Sequence, residues 1–222
     1  MGSQNYLNMA FEKLGHIMLD DMRMKASDIY KLAVKRQKKQ DYNPPVYNEN
    51  KINIRSVFEK GGMCFYVTPK NASVKEYFMF LHGGGFVSQM SRNEWRFVLD
   101  TVESTGYGAV VPVYPIAPDH SAAEAVDMLA GAYEKLCEKE DANRIVLIGD
   151  SSGACLALSV AIQLWKTGIR RPDKLILCSP VLDTEFEDRE LEQEMGDRRK
   201  FVYGYYYTPE IRSFLRQYWV KD

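Results

Sequence analysis

Short apolar runs alternate with longer amphipathic stretches along most of the chain. Six runs have the length and the β-branched or aromatic content of strands: Ile52 to Phe58, Met63 to Thr68, Tyr77 to Leu81, Ala109 to Val113, Arg144 to Ile148 and Leu175 to Cys178. Three stretches between them have helical spacing: Trp95 to Glu103, Ala122 to Glu138 and Ser152 to Lys166. The first two runs flank two glycines and predict a hairpin. The alternation of strands and helices that follows predicts an α/β fold, in which helices cover both faces of a mostly parallel sheet. The ligand crevice of such a fold lies at the carboxyl ends of the strands.

Helical patterns also occupy the two ends of the chain. An apolar stripe runs from Leu7 to Met18 and continues towards Ala33, and Asn43-Pro44-Pro45 then interrupts the pattern. We therefore divide the chain into an N-terminal helical segment, residues 1–45, and a sheet domain, residues 46–222. Pro209 to Val220 is a further predicted helix.

Composition narrows the class of protein but not its chemistry. The 222 residues carry 29 basic and 30 acidic side chains, so there is no basic excess to favour nucleic acid as a partner. There is no signal sequence and no apolar run of membrane-spanning length, which favours a cytoplasmic protein. Four cysteines stand singly and are predicted to be reduced core residues: Cys64, Cys137, Cys155 and Cys178. No pattern implies a cofactor or a metal.

The most informative motif is Gly149-Asp150-Ser151-Ser152-Gly153, which has the form G-x-S-x-G. It follows a predicted buried strand and begins a predicted helix. In that context the flanking glycines permit a sharp turn that exposes the Ser151 hydroxyl as a nucleophile.

A second motif, His82-Gly83-Gly84-Gly85, ends another predicted strand. Consecutive glycines let backbone N–H groups approach a substrate oxygen without steric hindrance. Both motifs lie at strand ends, so the sequence predicts that they meet at one edge of the sheet.

These residues, together with two further segments, resemble the hormone-sensitive-lipase-like esterases of the α/β-hydrolase superfamily. Tyr114 to His120 is similar to that family's Y-R-L-A-P-E-H segment, with proline in place of arginine, and Ser179 to Asp183 is similar to its S-P-x-x-D segment. The resemblance covers about Ile52 to Asp183. It departs from the family at Ser152, where alanine is usual, and at Ala154, where glycine is common.

The resemblance implies a serine carboxylesterase for small or short-acyl esters. It assigns the oxyanion hole to the N–H groups of Gly84, Gly85 and Ser152, while His82 and Gly83 support the loop. It also implies a cap over the site, formed in part by the N-terminal segment and by a cap-like region of about 184–222. The alternative for the N-terminal segment is an amphipathic helix that docks on the surface. Asp150 is predicted to anchor the serine turn.

The histidines do not follow the family's order. His16, His82 and His120 all precede Ser151, whereas the family places its acid and then its histidine after the serine. We interpret His82 and His120 as structural and expect a hydrolase domain that is incomplete at its C-terminus. Asp183 is also interpreted as structural. The alternative function is a non-catalytic ligand-binding member of the same fold, and sheet surface left uncovered would make a homodimer plausible.

Overall fold

The computed structural model describes residues 26–139, 141–180 and 213–220, in which one sheet is covered by helices on both faces. In chain order the described elements are α1 (Ala26–Gln37), β1 (Ile52–Glu59), β2 (Gly62–Pro69), β3 (Glu76–Leu81), α2 (Arg92–Thr105), β4 (Gly108–Val113), α3 (Ala122–Lys139), β5 (Arg144–Asp150), α4 (Ser152–Thr167) and β6 (Lys174–Cys178). A short π-helical segment, Arg216–Val220, follows.

The strands lie in the order β1-β2-β4-β3-β5-β6. β1 and β2 form the predicted hairpin, and β2 pairs antiparallel with β4. β3 pairs parallel with β4 on one side and with β5 on the other, and β5 pairs parallel with β6. The predicted α/β fold with a mostly parallel sheet is confirmed.

The sheet separates two hydrophobic clusters because its central strands alternate in the face they present. Along β3, Met79 and Leu81 join the cluster beneath α3 and α4, whereas Phe78 and Phe80 join the cluster beneath α2. All four are at most 2% exposed. Strands buried on both faces read as continuous apolar runs, which is why the sequence marked them so clearly.

The predicted helices over residues 95–103, 122–138 and 152–166 are all present, and each is longer in the structure than predicted. α2 is extended at its N-terminus by a capping box that the prediction omitted. Ser91 Oγ accepts from the Glu94 N–H at 3.3 Å, and the Ser91 N–H donates to Glu94 Oε2 at 2.7 Å.

The prediction that all four cysteines are core residues was wrong. Cys64 is buried, Cys137 and Cys155 are partly buried, and Cys178 is exposed. Cys178 belongs to β6, which is the last strand in the order found among the described residues and has exposed or half-exposed residues along its whole length. An apolar run on such an outer strand looks the same in sequence as one on a central strand. All four cysteines lie among the described residues, and none of them forms a disulfide.

Only parts of the predicted cap fall within the described residues. The stripe from Leu7 to Met18, His16, Asp183 and most of the cap-like region of about 184–222 lie outside them. The described parts pack on one another: the Tyr30 ring of α1 lies 5.0 Å from the Tyr218 ring. None of the described helices is long and apolar enough to cross a membrane.

Candidate active site

The register of the two central strands brings the two sequence motifs together. β3 and β5 are parallel neighbours, and Leu81 pairs with Gly149 at their carboxyl ends. The segment that follows β3, residues 82–90, is called the glycine loop below, and residues 149–153 are called the serine turn. A β-carbon at Gly83 would lie 3.4 Å from Ser151 Cβ, so the two segments are in contact.

Ser151 occupies a backbone conformation that few residues other than glycine adopt. Its φ is 51° and its ψ is −118°, between the end of β5 and the first residue of α4. The Ser151 N–H donates to Cys178 O at 2.8 Å, and its carbonyl accepts from Ala154 N at 3.0 Å. A non-glycine residue persists in such a conformation only where its surroundings impose it, and these conformations concentrate at functional sites.

The two glycines of the serine turn are required by close packing and not by their φ angles. A β-carbon at Gly149 would lie 2.4 Å from Gly153 O. One at Gly153 would lie 2.2 Å from the carbonyl oxygens of both Leu81 and His82. Any side chain at either position would push α4 away from β3 and β5 and would open the serine turn.

Replacing Ser151 with glycine should make the protein more stable. Relief of the strained conformation should raise the free energy of unfolding by about 1–3 kcal/mol. The greater freedom of glycine in the unfolded chain should lower it by roughly 0.5–1 kcal/mol. We expect the free energy of unfolding to rise by about 1 kcal/mol in urea titrations. Ser151→Ala is the matched control, since alanine keeps the strain. Equal stability of the two variants would show that the turn is relaxed.

Two backbone N–H groups of the glycine loop have no acceptor among the described residues. Gly84 and Gly85 have φ angles of 115° and 62°, in the region that favours glycine. The Gly83 N–H donates to Glu94 Oε1 at 2.6 Å and is therefore already occupied. No described residue accepts a hydrogen bond from the N–H of Gly84 or of Gly85.

Helix α4 adds a third donor from the serine turn. Ser152 is its first residue, and the N–H groups of a first helical turn have no acceptor within the helix. The helix dipole also places partial positive charge at this end. The Ser152 hydroxyl is buried and has no hydrogen-bond partner among the described residues.

His82 is a buried support for the glycine loop. It is 0% exposed, and its ring stacks on Tyr114 with 4.2 Å between centroids. Nδ1 lies 2.7 Å from Gly83 O, and Nε2 lies 3.1 Å from Gln89 Oε1. Burial lowers the pKa of His82, despite the opposing charge of Glu94, so the ring is held neutral.

His120 lies at the start of α3, where it was predicted to support helix entry. Its Nδ1 is 3.5 Å from Glu124 Oε1, and Glu124 forms a capping box with Ser121. Neither His82 nor His120 hydrogen-bonds to Ser151. The described residues therefore supply no histidine base for the serine, and they contain no cluster of three or more potential metal-ligating side chains.

Asp150 carries an unfavourable charge inside the serine turn. Burial, followed by the nearby Glu94 carboxylate, raises the pKa of Asp150 to about 6. This value lies above that of an unfolded aspartate, about 3.9. The folded state therefore binds the proton more tightly, and ionisation of Asp150 costs stability at neutral pH.

Asp150→Asn should consequently stabilise the protein at high pH only. Above pH of about 7 we expect a gain of about 1 kcal/mol in the free energy of unfolding, after discounting for partial solvent screening. The gain should disappear as the pH falls from about 6 to about 4, where the native Asp150 becomes protonated. Urea titrations across this range measure it, with the exposed Asp100→Asn as control. A gain that is independent of pH would rule out the ionised carboxylate as the cause.

A strained serine between a central strand and a helix, beside a glycine-rich loop at the carboxyl edge of such a sheet, has the backbone geometry of the nucleophile elbow in the α/β-hydrolase class. The comparisons with known proteins agree. The family model described as alpha/beta hydrolase fold matches residues 78–222. The chain therefore belongs to the α/β-hydrolase family, and the family resemblance drawn from its motifs is confirmed.

Curated relatives carry esterase and lipase names. An esterase of Acinetobacter venetianus is 32% identical over 113 residues, which are 50% of this chain and 37% of that protein. A triacylglycerol lipase of Mycobacterium tuberculosis is 30% identical over 118 residues, 53% of this chain and 27% of the lipase. Human hormone-sensitive lipase is 31% identical over 117 residues, 50% of this chain and 11% of the lipase. The matched stretch thus spans less than two fifths of each relative.

Solved structures share the fold. A thermostable esterase from Pseudomonas putida superposes with a TM-score of 0.61 at 23% identity, covering 89% of this chain and 65% of that one. An esterase/lipase from an uncultured bacterium gives a TM-score of 0.65 at 20% identity, covering 93% and 67%. At these identities the likeness establishes the fold alone.

Proposed function

We propose that the chain carries the nucleophile and the oxyanion hole of a carboxylesterase for small or short-acyl esters. The observation that carries this proposal is the contact between the strained Ser151 and a glycine loop with two backbone N–H groups unoccupied among the described residues. The esterase and lipase names of the relatives support the same chemistry.

In the proposed reaction Ser151 Oγ attacks the ester carbonyl carbon while its proton passes to a base. The carbonyl oxygen becomes an anion, and the N–H groups of Gly84, Gly85 and Ser152 donate to it. The C–O bond to the alcohol then breaks, the alcohol leaves with a proton, and the acyl group stays on Ser151. Water attacks this acyl-enzyme, releasing the acid and restoring the hydroxyl.

The base in this scheme is not one of the described histidines. In the α/β-hydrolase order it follows the serine along the chain, as does the acid. Loss of the histidine from a complete triad costs about a millionfold in turnover, and the oxyanion hole with substrate binding retains about a thousandfold over water. We therefore expect weak but serine-dependent turnover of activated esters by residues 1–222.

A non-catalytic ligand-binding function is the second candidate. It is favoured by the positions of His82 and His120, each of which is engaged in supporting a loop or a helix end. In that case the unoccupied N–H groups of the glycine loop would bind a ligand carboxylate or carbonyl in place of a transition state.

Hydrolysis of p-nitrophenyl acetate by the 222-residue protein and by its Ser151→Ala variant separates the two functions. Its good leaving group demands little of a base. A rate that falls to the buffer background in the variant supports the esterase. Equal rates in both proteins would reject Ser151 as nucleophile in this chain and favour the binding function.

Further predictions concern the organisation of the protein. The packing of Tyr30 on Tyr218 supports a cap built from the N-terminal segment and the cap-like region of about 184–222, whereas the division into residues 1–45 and 46–222 stays a prediction. A cytoplasmic location, a homodimer and the lack of a nucleic-acid partner stay predictions. Sedimentation at micromolar concentration tests the homodimer, and a monomer would reject it.

A further inference from the structure

We propose that Gln37, the last residue of α1, and Gln40, three residues beyond it, are positioning residues that hold the glycine loop in the geometry required for oxyanion binding. The proposal rests on the esterase function proposed above. Neither residue belongs to a sequence motif, and neither contacts Ser151. Their side-chain amides link the N-terminal helix to the backbone of the glycine loop across about fifty residues of sequence.

Gln40 forms two hydrogen bonds with the backbone of one residue. Its Nε2 donates to Gln89 O at 2.6 Å, and its Oε1 accepts from the Gln89 N–H at 3.0 Å. The amide side chain thereby satisfies both backbone polar groups of Gln89, as a neighbouring strand would do. Because both the N–H and the C=O of Gln89 are held, the pair of hydrogen bonds fixes the position of this backbone segment.

Gln37 joins the glycine loop to a second loop. Its Nε2 donates to Val87 O at 2.9 Å and to Ala117 O at 2.6 Å. A direct backbone bond runs between the same two loops, from Ala117 N to Phe86 O at 2.8 Å. Gln37 therefore uses both hydrogens of one amide to hold the two loops together next to Phe86.

Gln89 extends this link to the residues that precede the oxyanion N–H groups. Its Oε1 lies 3.1 Å from His82 Nε2, and its Nε2 donates to Tyr114 O at 2.9 Å. The opposite nitrogen of His82 lies 2.7 Å from Gly83 O. A series of contacts thus runs from Gln40 through Gln89 and His82 to the peptide adjoining Gly84, in which the neutral His82 ring donates from only one of its two nitrogens.

The other end of the glycine loop is tied down separately by Glu94, which accepts from Gly83 N–H. Between Gly83 and Val87, Gly84 and Gly85 have positive φ, and the glycine backbone has more conformational freedom than that of other residues. Oxyanion stabilisation depends on N–H groups that are already in place when charge develops. Gln37 and Gln40 provide this preorganisation at the Gln89 side of the loop.

The test uses Gln37→Met, Gln40→Met and the double variant, because methionine keeps the length of the side chain without its hydrogen bonds. Gln163→Met is the matched control, since Gln163 loses one amide bond, to Asp127 Oδ1 on the surface. For p-nitrophenyl acetate we expect kcat to fall about 10- to 100-fold in the double variant, as a small displacement of catalytic groups produces. KM should change less than about threefold, because ground-state binding does not depend on the oxyanion contacts.

Amide hydrogen exchange in residues 83–90 provides a readout that needs no turnover. We expect faster exchange in this segment in the Gln37 and Gln40 variants and unchanged exchange in Gln163→Met. If the parent shows no Ser151-dependent hydrolysis, the proposed function fails, and the exchange result alone then decides whether the glutamines hold the loop. Faster exchange with an unchanged kcat, or no change in either, overturns the positioning role.

The conservative variant Gln40→Glu distinguishes an effect of the two Gln40 hydrogen bonds from an effect of side-chain packing. In Gln40→Glu an ionised carboxylate can accept from the Gln89 N–H but repels the Gln89 carbonyl, whereas a protonated carboxyl group restores both bonds. The kcat of this variant relative to the parent should therefore rise as the pH falls from about 8 to about 5, since the bond to a carbonyl favours the neutral acid. A ratio that stays constant or falls overturns the assignment of Gln40.

Discussion

Among glycine-to-alanine substitutions in the serine turn and the glycine loop, we expect Gly153→Ala to destabilise the protein most. The new β-carbon would lie 2.2 Å from two backbone carbonyl oxygens at the end of β3, where no flexible side chain can move aside. Helix α4 must shift away from the sheet. Because overpacking with backbone displacement costs 1–3 kcal/mol or more, we expect a loss of at least about 3 kcal/mol in the free energy of unfolding.

Gly168→Ala, at the other end of α4, is the matched control. Gly168 has a φ of 72°, and a β-carbon there would meet no atom within 4 Å. Its substitution should cost only about 1–2 kcal/mol, for the left-handed backbone. Urea titration or soluble yield compares the two variants. If Gly153→Ala is no less stable than Gly168→Ala, α4 does not pack against β3 as described.

Gly84→Ala is expected to have the largest effect on the rate of ester hydrolysis among substitutions that leave Ser151 in place. Its φ of 115° is unsuited to alanine, and the β-carbon would lie 2.8 Å from Ser88 O. The loop must rearrange, and its N–H groups move away from the position of the oxyanion. Since one misplaced donor costs about 100- to 1000-fold in kcat, we expect a loss of that order.

Gly61→Ala controls for the effect of a methyl group at a positive φ. Gly61 lies in the hairpin between β1 and β2, has a φ of 85° and would place its β-carbon in open space. Its kcat for p-nitrophenyl acetate should equal that of the parent. Retention of full kcat in Gly84→Ala would mean that the glycine loop does not stabilise the oxyanion.

The strands and the two motifs were predictable because their signals are local. β3 and β5 are buried on both faces, so their apolar runs are unbroken, and a glycine lies within two residues of the end of each run, at Gly83 and at Gly149. Because the carboxyl ends of parallel strands meet at one edge of a sheet, the sequence alone predicted that the motifs of His82 and Ser151 lie close together. The capping box at Ser91 and Glu94 was equally local and could have extended the prediction for α2.

The contacts that depend on distant parts of the chain were not predictable. Nothing in the sequence marks Gln37 or Gln40, because a glutamine at the end of an amphipathic helix is normally solvated. Their role emerges only when the fold brings α1 against residues 87–89. The exposure of Cys178 was missed for the same reason: the outer position of β6 among the described strands is set by strand order, which a single apolar run does not encode.

The strain at Ser151 and the packing of Gly153 together show how the serine turn is maintained. Close approach of α4 to β3 requires glycine, and that approach forces Ser151 into its unusual conformation. The stability lost at Ser151 is offset by the buried contacts of α4, whose Ala154, Ala157 and Val160 are 0% exposed. A rigid, strained nucleophile beside preorganised donors is consistent with acyl transfer.

Mass spectrometry after brief exposure to p-nitrophenyl acetate tests most directly whether Ser151 forms an acyl-enzyme. If no base assists deacylation, the intermediate should accumulate. We expect one acetyl group on Ser151 in the parent, located by peptide mapping, and none on that peptide in Ser151→Ala. An unmodified Ser151 in the parent, with acetylation confined to lysines in both proteins, would contradict that expectation.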